Sequence, residues 1–173
     1  MANMNGVFQS LTAAGALLAL SGVLVSGDAQ AAAFRVNYYS ATAVCEAPLP
    51  SYDVDLRKRP LGITNQGSSV IFISCSVPGD FYGDTTSNSL YVYFESMGAG
   101  GTVNCTAVAG SRVSGSGSVA SSTTVTAGGS SFVNWTNLSK TDPYGSFNFS
   151  CNVTPDIEMN LILIRQNDAA GEI

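Results

Sequence analysis

Four cysteines, Cys45, Cys75, Cys105 and Cys151, are the side chains with the most evident chemistry in this 173-residue sequence. Thiols bind zinc, run redox exchange or attack as nucleophiles, and each use has a recognisable setting. None of those settings is here. The sequence has no CxxC and no histidine. That removes the usual zinc ligand sets, the thioredoxin-type motif and every Ser-His-Asp, Cys-His or HExxH arrangement. Lys58 and Lys140 do not sit in SxxK, so a Ser-Lys dyad has no motif either. Paired carboxylates could cleave a glycosidic bond. The candidates Glu46, Asp53, Asp55, Asp80, Asp84, Asp142 and Asp156 fall mostly in loops, where solvation is the expected role. Residues 79–89 offer Asp80, Asp84 and Asn88 as calcium ligands but lack the D-x-[DN]-x-[DN]-G spacing, so they read as a turn. No catalytic residue, metal or cofactor is expected, and the chain reads as non-enzymatic.

Two chemistries remain. An even number of cysteines in an exported chain reads as disulfides. Four cysteines permit three pairings. Loop entropy gives about 3.7 kcal/mol for joining Cys45 to Cys75, about 4.1 for Cys105 to Cys151, and about 4 to 5 per bond for the alternatives, so it does not choose. The sequential pairing is preferred because it needs only local neighbours. Cys105 and Cys151 lie on inward strand faces, which would let each meet a partner across the core. The second chemistry is aromatic stacking, with Tyr91, Tyr93, Trp135 and Tyr82 as candidates for sugar or protein contact.

The elements that must position these residues are strands. Leu90, Val92 and Phe94 alternate with Tyr91, Tyr93 and Glu95. The same period of two runs through Ile71, Ile73, Cys75 and Val77, through Val103, Cys105, Ala107 and Ala109, and through Phe147, Phe149, Cys151 and Val153. Residues 161–164, LILI, are apolar on both faces and belong inside a sheet. Glycine- and proline-rich breaks at 78–84, 97–101 and 141–145 supply turns. The expected fold is all-β: one antiparallel β-sandwich, Ig-like or jelly-roll-like, of about 7–9 strands. Residues 45–62 are expected as an irregular connection, 110–131 as a Gly/Ser-rich strand or loop, and 167–173 as a frayed tail.

Ahead of the strands lies an apolar, helix-prone run over residues 10–27, followed by Ala29-Gln30-Ala31. The A-x-A pattern is what signal peptidase accepts, so residues 1–31 read as a signal peptide and 32–173 as a single domain. The first nine residues hold no Lys or Arg. A second cut after Ala33, or a retained anchor, is the alternative. Only 11% of residues are charged and the net charge is −5, against about 25% charged in an ordinary soluble protein. Nucleic acid is excluded as a partner, because the one basic cluster, Arg57-Lys58-Arg59, is flanked by Asp53 and Asp55. Five N-x-S/T sequons, at Asn104, Asn134, Asn137, Asn148 and Asn152, read as a by-product of Asn- and Ser-rich outward faces.

The order of landmarks resembles a loose group of uncharacterised exported bacterial proteins. The landmarks are CEAPLP (45–50), GITNQGSSVIFISCSVP (62–78), GTVNC (101–105) and FNFSCNVTPDIEMNLILI (147–164). The resemblance implies an all-β secreted domain with two sequential disulfides and no known activity. The spacing CSVP departs from the CP usual in that group. The alternating stretch 34–44 is more distantly similar to the donor segment of chaperone–usher pilins. The expected function is therefore an exported structural or interaction protein at the cell surface, in the periplasm or secreted. Its partner would be protein or glycan, with no membrane contact after leader cleavage. The alternatives are a carbohydrate- or surface-binding module using exposed aromatics, or a pilin-like subunit.

Overall fold

In the computed structural model, residues 34–79, 88–110, 118–139 and 145–167 are described. The leader, Asp80, Tyr82 and Asp84 of the candidate calcium turn, Lys140, Asp142 and residues 168–173 lie outside them. The described residues form eleven strands and two one-turn helices. The strands are β1 (Phe34–Ser40), β2 (Cys45–Glu46), β3 (Leu56–Arg59), β4 (Gly62–Asn65), β5 (Ile71–Pro78) and β6 (Asn88–Ser96). They continue with β7 (Gly100–Gly110), β8 (Val119–Thr126), β9 (Ser130–Leu138), β10 (Ser146–Val153) and β11 (Ile157–Asn167). The helices are α1 (Ala41–Val44) and α2 (Pro50–Asp53).

Two antiparallel sheets face each other. The front sheet runs β3-β4-β11-β6-β9, with β1 beside β4 on the same edge of β11. The back sheet runs β2-β5-β10-β7-β8. Period-two alternation places Leu90, Val92 and Phe94 of the front sheet against Ile73, Val103, Phe147 and Val153 of the back sheet, all fully buried. This is the antiparallel sandwich expected from the alternation. The strand count exceeds seven to nine because 45–62 is not simply irregular. It contributes the one-turn helix α2 and two short strands, β2 paired with β5 and β3 paired with β4. Residues 119–126 of the Gly/Ser-rich stretch form β8, anchored by buried Val125. The segment likened to a donor strand is used within its own chain: residues 34–40 form β1, paired along the whole of its length with β11.

The disulfides are Cys45–Cys75 and Cys105–Cys151. They do not cross the core. Each joins directly opposed residues of neighbouring strands in the back sheet, with Cα–Cα distances of 4.1 and 4.0 Å. Closely opposed antiparallel pairs bring Cα atoms to about 4.5 Å with both Cβ atoms on one face, so two inward cysteines meet within the sheet before they can meet across it. What crosses the core is Met159 of β11, whose Sδ packs 3.8 and 3.7 Å from the sulfurs of Cys45 and Cys75. Neither cystine sulfur carries a proton, so this is packing of soft atoms.

Asn65 ties the two sheets by hydrogen bonds. Its Nδ2 donates to the carbonyls of Ser69 and Val153, and its Oδ1 accepts from the Gly67 N–H. Its own carbonyl accepts from the Asp156 N–H. A wholly buried amide with every group satisfied locks the β4–β5 loop and the β10–β11 turn to one another.

Candidate functional site

The front sheet has an outer face that the described residues leave partly open. On β6 the outward residues are Tyr91, Tyr93 and Glu95, as the alternation required. Next to them on β9, Phe132 is 46% exposed. The Phe132 ring centroid lies 5.5 Å from Tyr93 and 6.1 Å from Tyr91, with the rings tilted. Three aromatic rings thus sit side by side, two on β6 inside the sheet and one on β9 at its edge. Phe132 pairs directly with Tyr93, and Asn134 with Tyr91.

A bulge extends this apolar face onto β11. Met159 opposes Phe94 and Ile162 opposes Val92, so β11 uses three steps where β6 uses two. Asn160 supports the irregular step, its Oδ1 accepting the Leu161 N–H at 2.8 Å. Without the bulge, residues 157, 159, 161 and 163 would all face inward. With it, the buried set is Ile157, Met159, Ile162 and Ile164, and Leu161 and Leu163 turn out. Leu163 therefore lies between Tyr91 of β6 and Tyr38 of β1, which is 64% exposed. Further along the same edge, the Arg165 guanidinium sits 3.9 Å above the Phe34 ring centroid.

Trp135 is not part of this surface. It is only 3% exposed, packs against Phe149 of the back sheet at 6.1 Å, and donates its indole N–H to the Val119 carbonyl at 2.8 Å. The correction follows from parity. Trp135 shares the inward face of β9 with Val133, and Phe132 shares the outward face with Asn134. Phe132 is the ring that sequence reasoning missed. Its signal was present, since Val133 with Trp135 makes the more apolar of the two faces.

The outer face of the back sheet carries an exposed ring too, Phe72 of β5, tilted against Tyr52 of α2 at 6.1 Å. A cavity of about 400 Å³ there is lined by Glu46, Ser74, Ser76, Thr106, Val108, Asn148 and Ser150. Its hydroxyls bond one another, Ser74 to Ser150 at 2.8 Å. No exposed ring lines it. Of the acids considered for catalysis, those among the described residues lie apart: Glu46 on the back sheet, Asp53 in α2 and Asp156 in the β10–β11 turn. Among the described residues, no three His, Cys, Asp or Glu side chains gather as a metal site.

No protein-family model matches the chain, and a comparison with curated proteins returns no match. Among solved structures it is similar to an exo-β-1,3-galactanase from Phanerochaete chrysosporium, with 14% identity and a TM-score of 0.45 over 75% of this chain and 29% of the other. It is also similar to the GH26-CBM35 β-(1,4)-mannanase of Podospora anserina, with 10% identity and a TM-score of 0.46 over 78% and 28%. A third is the C-terminal CBM6 of a Zobellia galactanivorans laminarinase, LamC, with 15% identity and a TM-score of 0.43 over 75% and 98%. This chain spans less than a third of the first two. At these values the likenesses carry no argument about function, which rests on the residues of this chain.

Proposed function

We propose that this is an exported glycan-binding β-sandwich whose binding surface is the outer face of the front sheet. The observation that carries the reading is the group of half-buried Tyr91 and Tyr93 with exposed Phe132, with centroids 5.5 and 6.1 Å apart. Aromatic faces offer flat, weakly hydrated surface to the C–H-lined faces of sugar rings, while the phenol hydroxyls remain able to bond sugar hydroxyls. Strand-borne rings lose little freedom on binding, which favours affinity. Asn134 beside Tyr91 adds amide hydrogen-bonding capacity at the rim. The apolar strip through Leu163 and Tyr38 lengthens the surface across four strands, enough for an extended chain of sugars. Two disulfides and the leader-like N-terminus fit an extracytoplasmic place of action. The broader expectation of an interaction protein is contained in this reading, with glycan as the partner.

The test is a glycan array probed with the wild-type protein and with the Tyr91→Ala/Tyr93→Ala double variant. Binding by the wild type and at least about tenfold weaker binding by the variant is expected, since central aromatic contacts are worth more than 1 kcal/mol each. A silent array for the wild type removes the reading.

A further inference from the structure

Beyond the three rings, the same face ends in a cavity of about 350 Å³ whose mainly apolar walls carry a few charged groups, lined by Arg59, Pro60, Leu61, Glu95, Met97 and Glu158. Glu95 follows Tyr93 by two residues on β6, about 7 Å along the strand. Its partner across to β11 is Glu158, and Glu158 in turn pairs with Thr64 of β4. Strand pairing thus joins two carboxylates that lie far apart in sequence.

Glu158 is held as a recognition group would be. It faces outward from the sheet yet is only 8% exposed. Its Oε2 accepts from the Thr64 hydroxyl at 2.9 Å. Its Oε1 has no donor among the described residues. Gly62 makes room for it, because a Cβ there would stand 2.6 Å from that oxygen. Arg59 lines the same cavity, and behind its surface the Nε is buried without an acceptor among the described residues. A carboxylate oxygen without a donor and a guanidinium thus line one pocket.

The chemistry of the occupant follows by complementarity. An anionic group meets two carboxylates. A cationic group meets Arg59, and a metal ion lacks a third acidic ligand among the described residues. A hydroxyl fits, since it donates to a carboxylate and accepts from a guanidinium at once. Met97 and Leu61, both exposed, provide apolar walls for the carbon skeleton.

We infer that Glu158 and Arg59, with Glu95 at the rim, form a polar subsite that reads the hydroxyls of one neutral sugar residue, at the end of a glycan whose next residues stack on Tyr93 and Tyr91. This rests on the glycan reading and adds to it the class of ligand and the specificity-determining end. Uronic, sulfated and amino sugars are disfavoured.

The experiment titrates the strongest neutral oligosaccharide from the array, and its monodeoxy analogues, into the wild type and into Glu158→Gln. One analogue is expected to bind the wild type at least about tenfold more weakly, the scale of a lost hydrogen bond to a charged group. Glu158→Gln, which keeps only a neutral acceptor, is expected to discriminate between parent and analogue less than the wild type does. The analogue series on the wild type needs no variant, so it decides the matter even if Glu158→Gln folds poorly. If no deoxygenation weakens binding more than about threefold, or if Glu158→Gln keeps the full discrimination, the subsite is wrong while the aromatic reading stands. Preference for a uronic, sulfated or amino sugar likewise overturns the subsite alone. No binding of any glycan by the wild type overturns the aromatic reading itself.

Discussion

Single side chains decide which face of each strand works. Trp135 and Phe132 lie three residues apart on β9, so one had to point in and the other out. The larger ring went inward because the back sheet offers both a packing partner, Phe149, and a carbonyl for the indole N–H. Trp135→Phe keeps most of the apolar contact but leaves the Val119 carbonyl without its donor, so a loss of about 1–3 kcal/mol is expected in urea unfolding, with glycan binding unchanged. Met159 is the core's other revealing residue. Its thioether touches both sulfurs of the Cys45–Cys75 bridge. Met159→Ala leaves a cavity against an immovable cystine, and a cost of about 2–5 kcal/mol is expected in the same measurement.

At the scale of elements, strand identity was legible and strand irregularity was not. Tyr91, Tyr93 and Glu95 could be placed outward from sequence because β6 keeps its period of two throughout. LILI could be placed inside a sheet but not oriented, because the β11 bulge that re-aims Leu161 and Leu163 follows from pairing with β6. A second irregularity, between Asn88 and Leu90 of β6, adds a residue to β9 and puts Asn137 in the left-handed region at φ 59°, which asparagine tolerates. The Glu95–Glu158 pair was invisible for the same reason: it exists only once β6 and β11 lie side by side. Asn65 acts at this scale too, joining β4, the β4–β5 loop and the end of β10. Asn65→Ala strands buried backbone groups at several of these places. A loss of more than about 2 kcal/mol is expected, seen as a lower urea midpoint.

For the molecule as a whole, composition and cysteine number pointed to a stapled β-sandwich, and the two-sheet architecture agrees. The order in which the chain crosses between sheets was not legible, because alternation marks which residues face inward without saying which strand is the neighbour. The staples lie in one sheet, so they hold β2, β5, β7 and β10, while the front sheet relies on core packing and Asn65. Replacing Cys105 and Cys151 by serine is expected to cost about 2–5 kcal/mol, read from denaturant midpoints. Non-reducing peptide mapping should give only the 45–75 and 105–151 linkages; a peptide joining Cys75 to Cys105 would contradict the fold. Among the described residues this division of labour leaves the front face open for the proposed binding, with rings on strands held from behind by the core. The most direct measurement of that claim is calorimetric titration of the best array glycan into three proteins of matched melting temperature. These are the wild type, Tyr91→Ala/Tyr93→Ala on the front face, and Ser74→Ala/Ser150→Ala on the back face. The account predicts at least about tenfold weaker binding for the front-face variant alone. Unchanged affinity in that variant, or a loss confined to the back-face variant, would contradict it.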